Sequence, residues 1–240
     1  MIQMIVTYEC PTCGSLDLVK NGHDYKGSQK YHCNTCQRYG TLQAQRGYDQ
    51  RTRCQVKRAM LERVSLRGIE RIFGISRPTL ADWLGGWGSH LPPLADTLGE
   101  ARWNDVLELD ELWSFVLKKA NKRWIWVALC RRTRQIVAYF IGDRSEASCL
   151  QLWRRIPTPY VRCWSFSDFW EAYRHIFDPQ RHQAVAKDSG QTSHVERWFN
   201  TLRQRLARFV RKTLSFSKSD RFHEWAFQLF VQHYNSSCIS

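Results

Sequence analysis

Two matched cysteine pairs near the N-terminus limit what this chain can fold into more than any other feature. They are Cys10-Pro-Thr-Cys13 and Cys33-Asn-Thr-Cys36. Each pair presents two thiolates from a tight turn, and two such turns can surround one zinc ion as a tetrahedron. The segment between them carries Gly22, Gly27 and Tyr31, as expected of a small hairpin ribbon with almost no core. We therefore predict a structural zinc site, whose metal supplies the folding energy, at Cys10, Cys13, Cys33 and Cys36.

Two other uses of these cysteines fit the sequence less well. Two disulfides would need an oxidising compartment, and the opening residues MIQMIVTYEC lack the basic region and apolar core of an export signal. A thioredoxin-like redox site uses one Cys-x-x-Cys in a βαβ unit rather than a matched pair. The longest apolar run, Trp124–Cys130, is far shorter than the roughly 20 residues of a membrane span. We expect a cytoplasmic protein with no membrane partner.

The chain carries a strong positive charge that is concentrated in its C-terminal part. It has 36 Lys and Arg against 22 Asp and Glu, a formal net charge of +14 and a sequence pI near 9.6. Residues 101–240 contribute 23 basic and 13 acidic side chains, a net of +10. An excess of this size indicates a polyanionic partner, most simply nucleic acid, although a merely soluble basic protein would share the composition.

The apolar spacing of the middle of the chain predicts a helix from about Tyr48 to Val64 and two short helices within residues 66–84. The turn between the short helices is Gly74-Ile75-Ser76, where Ser76 can cap the second helix and Pro78 is tolerated in its first turn. This spacing is typical of a helix-turn-helix, whose second helix enters the DNA major groove, although ordinary helical hairpins share it. The side chains expected to face the groove are Arg77, Thr79 and Asp82.

After a Gly- and Pro-rich stretch at 85–93 that predicts a linker, the pattern changes to strands. Three apolar runs separated by polar turns predict three antiparallel strands, and Ser145 then caps a helix. Two more strands, each followed by a helix, complete the order βββαβαβα of the ribonuclease H fold. The predicted strands are Val106–Leu117, Arg123–Cys130, Ile136–Ile141, Val161–Phe166 and Gln183–Lys187. The predicted helices are EASCLQLWRRI, FWEAYRHIF and a long one from about Gln191.

These patterns together predict a multidomain α+β protein. Its C-terminal part is a ribonuclease H-like mixed α/β catalytic domain, preceded by the zinc ribbon and the helix-turn-helix. The predicted division is a zinc ribbon at 1–46, a helix-turn-helix DNA-binding domain at 47–90, a linker at 91–104 and the catalytic domain at 105–240.

Three acidic residues occupy informative positions in the predicted C-terminal fold. Asp110 lies in the first strand, Asp168 ends the fourth strand, and Glu196 lies early in the long helix. In that topology the first and fourth strands are neighbours and the helix packs beside them, so the three carboxylates should converge. Such hard oxygen ligands suit Mg²⁺ or Mn²⁺. Two such ions about 4 Å apart could activate a nucleophile and stabilise the leaving oxygen of a phosphodiester.

Each acid also has an ordinary structural alternative. Glu108 shares a strand face with Asp110 and Glu111 is its neighbour, so either could be the first carboxylate, although strand position favours Asp110. Asp168 could instead cap the following helix, and Glu196 could be a surface residue paired with an arginine. The helix beyond Glu196 is strongly basic, and it could hold DNA phosphate or simply be solvated. Its candidate DNA contacts are Asn200, Arg203, Arg205, Arg208, Arg211 and Lys212.

With these motifs the chain resembles the bacterial insertion-sequence-one transposases over nearly its whole length. The resemblance is carried by the zinc ribbon, the helix-turn-helix and the sequences DELWSFV, RWIWVAL, GDRS, SDFWEAY and GQTSHVERWFNTLRQRLARFVRKTLSFSKS. It implies a nucleoid-associated DDE transposase that cuts and joins double-stranded DNA at the terminal inverted repeats of its own element and in target DNA. It carries over Asp110, Asp168 and Glu196 as the catalytic acids. Synapsis of two ends implies a homodimer or a higher oligomer.

Two other functions are open on the same residues. A ribonuclease H-fold nuclease acting on RNA–DNA hybrids or junctions would choose its substrate by structure and not by end sequence. A repressor built from the zinc ribbon and the helix-turn-helix would use the C-terminal part only to oligomerise, and that part would bind no divalent metal.

Overall fold

A computed structural model describes residues 7–25, 27–42 and 48–239 of the chain. The chain forms two compact units, one within residues 1–54 and one within 55–240. The predicted boundary between the ribbon and the helix-turn-helix, at residues 46 and 47, lies outside the described residues, as do residues 1–6 of the segment inspected for an export signal. Within the described ranges, no helix combines the length and the hydropathy needed to span a membrane.

The first unit contains a small antiparallel sheet between and after the cysteine pairs. Its order is β1-β2-β3. Most of its side chains are partly or fully exposed, and its most buried residues include Cys10 and Cys33. The sheet therefore has little apolar core of its own, as the sequence predicts for a ribbon. The strands are β1 (Leu18–His23), β2 (Gln29–Cys33) and β3 (Tyr39–Thr41).

Three helices follow, and two of them form where the sequence predicts the helical pair. They are α1 (Gln50–Met60), α2 (Leu66–Phe73) and α3 (Arg77–Ser89). The cap predicted at Ser76 is present, since its side chain accepts a hydrogen bond from the backbone N–H of Thr79. The prediction of a linker at 85–93 is wrong for residues 85–89. These residues continue α3, because the close approach of Trp225 to its glycines packs this end of the helix against the rest of the unit.

A five-stranded mixed sheet forms the centre of the second unit. Its order is β6-β5-β4-β7-β8, with β4, β5 and β6 antiparallel and with β4, β7 and β8 parallel. Strand β7 pairs in parallel with the first part of β4, as far as Glu108, so β7 ends beside the middle of β4. The strands are β4 (Val106–Phe115), β5 (Lys122–Cys130), β6 (Ile136–Gly142), β7 (Trp164–Ser167) and β8 (His182–Ala184).

Helices cover both faces of this sheet. One apolar cluster joins the sheet to α4, α5 and α6, and a second joins it to α7 and α8 and also contains α1, α2 and α3. The described residues thus form a mixed α/β architecture with eight α-helices and two sheets. The bounds are α4 (Glu146–Arg155), α5 (Thr158–Val161), α6 (Glu171–Ile176), α7 (Ser193–Arg205) and α8 (Asp220–Ser237).

Three predicted elements differ from the structure. The fifth strand, predicted at Gln183–Lys187, runs from His182 to Ala184, and a 3₁₀ turn follows at Lys187–Ser189. The fourth strand begins at Trp164 and not at Val161, because the prolines at 157 and 159 start the short helix α5 instead. The long basic helix, α7, ends at Arg205. The backbone carbonyl of Arg205 accepts a hydrogen bond from the backbone N–H of Arg63 at 2.6 Å. Residues 208, 211 and 212 therefore lie beyond the helix on which the sequence placed them.

Candidate active site

Strand β4 places acidic side chains at the edge where β7 ends. Leu107 and Leu109 belong to the cluster under α4 and α6, whereas Leu112 belongs to the cluster under α7 and α8. Strand alternation therefore directs Glu108 and Asp110 towards α7. The pairing of β4 with β7 stops at Glu108, so the continuation of β4 has an open side there.

Three carboxylates converge at this open side. One oxygen each of Asp110, Glu111 and Asp168 lies within 4.8 Å of the others, and all three residues are partly buried. Burial is the main reason that the pKa of Asp110 is raised to about 8, and the charges of Glu111, Asp168 and Glu196 add to it. Burial and the charge of Asp168 likewise raise the pKa of Glu111. The group is rich in negative charge and would gain from a cation.

Glu196 approaches this group from the first turn of α7. Its charge is among the causes that raise the pKa of Asp110, so the two carboxylates interact. It is nevertheless outside the three-residue group, and its Oε1 accepts a hydrogen bond from Thr192 Oγ1 at 3.3 Å. Of the three acids predicted from the sequence, Asp110 and Asp168 are brought together, while Glu196 lies beside them.

The neighbouring Glu108 has a different use. Its carboxylate is fully buried and accepts hydrogen bonds from the backbone N–H groups of His194 and Val195, at 2.9 and 3.1 Å. Arg131 Nε donates to the same carboxylate at 2.8 Å. A carboxylate is stabilised at a helix N-terminus, so Glu108 fixes the start of α7 to β4. Both of its oxygens are used inside the fold, which leaves Asp110 as the acid of this face that is near Asp168.

Glu111 and Asp168 are held by further contacts that the sequence reasoning did not find. Glu111 accepts hydrogen bonds from Arg144 at 2.6 and 3.0 Å and from Tyr173 Oη at 2.9 Å. Asp168 Oδ1 accepts the backbone N–H of Trp170 at 3.0 Å, and it does not supply the side-chain cap of α6. The sequence signals for these partners were the GDRS motif, which contains Arg144, and the SDFWEAY motif, which contains Trp170 and Tyr173.

Some of the predicted basic residues lie around the carboxylates. The charges of Asp110 and Arg211 both act on Arg203, whose pKa is lowered mainly by burial. Arg211 lies over the ring of Trp113 at 5.4 Å. Asn200 is exposed on α7, and Lys212 is exposed beyond it. We call Arg203, Arg211 and Lys212 the basic border; of these, Arg203 is close enough to Asp110 for their charges to interact.

Two other predicted basic residues serve the interior of the fold. Arg205 pairs with Glu62 at 2.5 Å and thereby links α7 to the segment after α1. Arg208 donates to Ser217 Oγ at 3.4 Å and to the carbonyl of Phe222 at 3.3 Å. Burial lowers the pKa of Arg208 to about 10. Neither guanidinium is directed freely into solvent.

The predicted groove-facing residues lie at the start of α3. Arg77 is exposed, and its Nε pairs with Glu70 of α2 at 3.1 Å. Thr79 Oγ1 lies 2.9 Å from Ser76 Oγ, so it takes part in the helix cap. Asp82 is exposed.

In the first unit the four cysteines meet as the sequence predicts. All four Sγ atoms lie within 4.8 Å of one another, and the Cys10–Cys36 and Cys13–Cys33 pairs are 3.6 and 3.7 Å apart. A regular tetrahedron of thiolates about 2.3 Å from zinc has edges of about 3.8 Å, whereas a disulfide needs about 2.05 Å. The backbone N–H of Thr12 lowers the pKa of Cys10 to about 6, whereas burial and the neighbouring thiols raise the pKa of Cys13 to about 12. The donor set is compatible with a zinc ion, and none of the four cysteines is in a disulfide.

Comparison with known proteins matches the region that holds the carboxylates. A family model described as IS1 transposase matches residues 105–235. The chain is 35% identical over 129 residues to the insertion element iso-IS1n protein InsB of Shigella dysenteriae, which covers 53% of this chain and 94% of that protein. The chain belongs to the IS1 transposase family.

Other IS1 relatives agree with this assignment. The insertion element IS1 protein InsB of Shigella flexneri is 35% identical over 129 residues, or 53% of this chain and 95% of that protein. The insertion element IS1 4 protein InsB of Escherichia coli strain K12 is 34% identical over 129 residues, or 53% and 75%. The part that matches the IS1 transposase model contains the five-stranded sheet and the acids Asp110, Glu111, Asp168 and Glu196. The cysteine cluster and the helices α1 to α3 lie outside that part.

Proposed function

We propose that this chain is a DDE transposase that binds the terminal inverted repeats of an insertion sequence and catalyses divalent-metal-dependent DNA cleavage and strand transfer. The observation that carries the proposal is the meeting of Asp110 and Asp168, from neighbouring parallel strands, inside the part of the chain that matches the IS1 transposase model. Glu196, whose charge acts on Asp110, would complete the catalytic acids from α7.

The second unit is proposed to have a ribonuclease H-like fold. Three antiparallel strands followed by two parallel ones, in the spatial order β6-β5-β4-β7-β8, with helices on both faces, support this. In this arrangement the first and fourth strands along the chain, β4 and β7, are adjacent, so Asp110 within β4 and Asp168 directly after β7 can meet. We retain the functional division into zinc ribbon at 1–46, helix-turn-helix at 47–90, linker at 91–104 and catalytic region at 105–240.

The donor atoms of the site fit hard divalent cations. Carboxylate oxygens are the ligands that Mg²⁺ and Mn²⁺ prefer. The pKa of Asp110 is raised mainly by burial and further by the neighbouring negative charges, which such a cation would offset. When bound, two such ions supply activation of the attacking oxygen and stabilisation of the leaving oxygen. Asp110 and Asp168 would hold them as carboxylates, so Asp110 must give up its proton before the site is loaded.

The chain's own residues then position the DNA. Arg203 lies close enough to Asp110 for their charges to interact, and it would hold the phosphate next to the reacting bond. Asn200 lies one turn before it on α7, and Arg211 and Lys212 complete the basic border. Holding a DNA 3′ hydroxyl in line with a target phosphodiester is the entropic part of strand transfer. Arg205 and Arg208 support this border from inside the fold.

Recognition of the element's ends is assigned to the N-terminal parts. We propose that Cys10, Cys13, Cys33 and Cys36 bind a structural zinc ion, and that α2 and α3 form a helix-turn-helix on double-stranded DNA. Arg77, Thr79 and Asp82 would face the major groove from the start of α3. Synapsis of two ends calls for a homodimer or a higher oligomer of the chain.

The test is Mg²⁺-dependent cleavage and joining of a labelled duplex that carries the element's end. We expect products from the wild-type chain and none from Asp168→Ala. The matched control is Asp178→Ala, an exposed aspartate of the same unit that bonds only to its own turn, and it should retain activity.

Two outcomes would overturn the proposal. Cleavage of RNA–DNA hybrids regardless of end sequence would favour a ribonuclease H-fold nuclease. Tight binding of the end with no chemistry from any of the three proteins, in Mg²⁺ or in Mn²⁺, would favour a repressor.

A further inference from the structure

The GDRS segment, residues 142–145, forms a tightly fixed turn beside the acidic group. Asp143 Oδ1 accepts hydrogen bonds from Ser145 Oγ and Ser148 Oγ, both at 2.5 Å, and from the N–H of Ser145 at 3.2 Å. The Asp143 side chain thus ties the end of β6 to the start of α4. The residue held in the middle of this turn is Arg144.

The guanidinium of Arg144 lies between two indole rings. Its central carbon is 4.6 Å from the ring centre of Trp124 on β5 and 4.1 Å from that of Trp170. Arginine interacts favourably with aromatic faces, and two faces leave its planar group little freedom to rotate. In this orientation Nε and Nη2 donate to Glu111 Oε1, at 3.0 and 2.6 Å.

Two of the three residues that Arg144 contacts, Glu111 and Trp170, are one and two residues along the chain from a proposed metal-binding acid. Glu111 follows Asp110 on β4, and the N–H of Glu111 donates to Asp110 Oδ1 at 2.8 Å. Trp170 is two residues after Asp168, and the backbone N–H of Trp170 donates to Asp168 Oδ1 at 3.0 Å. Arg144 therefore connects the two backbone segments that hold Asp110 and Asp168.

This arrangement differs from an ordinary surface ion pair. The side chain of Glu111 is only 2% exposed, and its second oxygen accepts the hydroxyl of the buried Tyr173. Arg155 provides the comparison, since it lies over the ring of Phe140 at 4.8 Å but donates only to a backbone carbonyl. Arg144 also supplies one positive charge to a group of three carboxylates, so Glu111 is neutralised by a partner of its own.

We propose that Arg144 is a positioning residue that, through Glu111 and Trp170, holds Asp110 and Asp168 at the separation that a divalent cation requires. The inference rests on the proposed function and deepens it, because it assigns Glu111 to the support of the site and not to the metal. Partners that orient metal ligands typically change metal affinity about 10–100-fold when removed.

The test measures Mn²⁺ binding by the full-length, DNA-free protein, using electron paramagnetic resonance of the free ion, together with thermal unfolding. The variants are Arg144→Ala, Arg144→Lys, Asp168→Ala and the control Arg155→Ala. We expect Arg144→Ala and Arg144→Lys each to weaken Mn²⁺ binding by about tenfold. Lysine keeps the charge but loses the planar stacking and the paired donors, so its failure to rescue would identify geometry as the cause. Arg155→Ala should bind as wild type does.

The outcomes separate the inference from the function beneath it. Unchanged Mn²⁺ affinity in the Arg144 variants, with binding lost in Asp168→Ala, would overturn the positioning role and leave the metal site standing. Equal losses in the Arg144 and Arg155 variants would do the same, because a general effect on the fold would then explain both. No Mn²⁺ binding by the wild type would overturn the metal site and the positioning role together.

Discussion

At the scale of single residues, the site depends on one aspartate that is costly to ionise. Asp110 is flanked by three carboxylates and partly buried, and its pKa is raised to about 8. An unfolded aspartate has a pKa near 3.8. Between these values the folded chain holds a proton that the unfolded chain has lost, so the free energy of unfolding falls as the pH rises. The same proton must leave when a cation binds, so cation affinity should rise with pH.

Asp110→Asn should therefore stabilise the protein in the absence of divalent metal, even though it removes a proposed ligand. The gain should be near zero at pH 4 and grow to about 1 kcal/mol or more at pH 8, because asparagine has no charge to bury. For a unit of this size that corresponds to a rise in Tm of about 2–4 °C. Thermal unfolding in magnesium-free buffer across this pH range measures it. A constant difference between the two proteins at every pH would contradict the assignment.

How far these residues could be predicted depends on the kind of contact. Position in the strand was enough to prefer Asp110, and the structure gives the reason, since Glu108 is used by the start of α7. The sequence could not show that the carboxylate of Glu111 would also reach the group, because neighbouring strand residues point to opposite faces. That meeting depends on β7 ending at Ser167, and on Arg144, which lies in the turn between β6 and α4.

At the scale of helices and strands, local sequence signals predicted where helices begin better than where they end. Ser76 and Ser145 cap α3 and α4 as predicted, because a cap is a bond between residues three apart in the chain. The end of α7 has no Gly or Pro signal and is set by a distant contact, the bond from the N–H of Arg63 to Arg205. Helix α8 was not predicted, and its buried face is defined by partners that a single sequence does not reveal.

The glycines of α3 give a test at this scale. A Cβ added at Gly88 would lie 2.3 Å from Cγ of Trp225, at the fixed base of that side chain. We expect Gly88→Ala to lower the free energy of unfolding by about 1–3 kcal/mol, as overpacking does in a closed core. At Gly86 nothing lies within 4 Å, and alanine there should raise it by about 0.5–1 kcal/mol through helix propensity. Denaturant unfolding of the two variants decides, and stabilisation by both would contradict the packing of α3 on α8.

At the scale of the whole molecule, the two units are stabilised in different ways. The second unit has two apolar clusters that enclose its sheet. The first has a four-cysteine cluster and little buried apolar surface. That β4 and β7 of the larger unit are neighbours could be predicted from the order of its strands and helices. The sequence could not predict that the sheet shares an apolar core with α1, α2 and α3, because an apolar helix face does not specify what covers it.

Zinc removal should therefore act on one unit alone. A strong zinc chelator should abolish hydrogen-exchange protection within residues 7–42, because that ribbon lacks the core to fold without metal. Protection within the described sheet at 106–184 should persist. Cys13→Ser should reproduce the loss, whereas Cys54→Ser, an exposed cysteine outside the cluster, should not. Retained protection in the chelated wild type would contradict a structural zinc site.

The side-chain alternation of strand β4 has a consequence for how a gene copy of this protein can lose its activity. Glu108 and Asp110 point to one face and Leu107 and Leu109 to the other, while β5 and β7 fix the strand on both sides. A one-residue shift turns every side chain of a strand to the opposite face. Deletion of the three nucleotides that encode Leu109 would keep the reading frame. It would, however, turn the side chain of Glu108 or of Asp110 towards the apolar cluster on the opposite face of the sheet. Such a gene copy would have an intact reading frame but would encode an inactive protein.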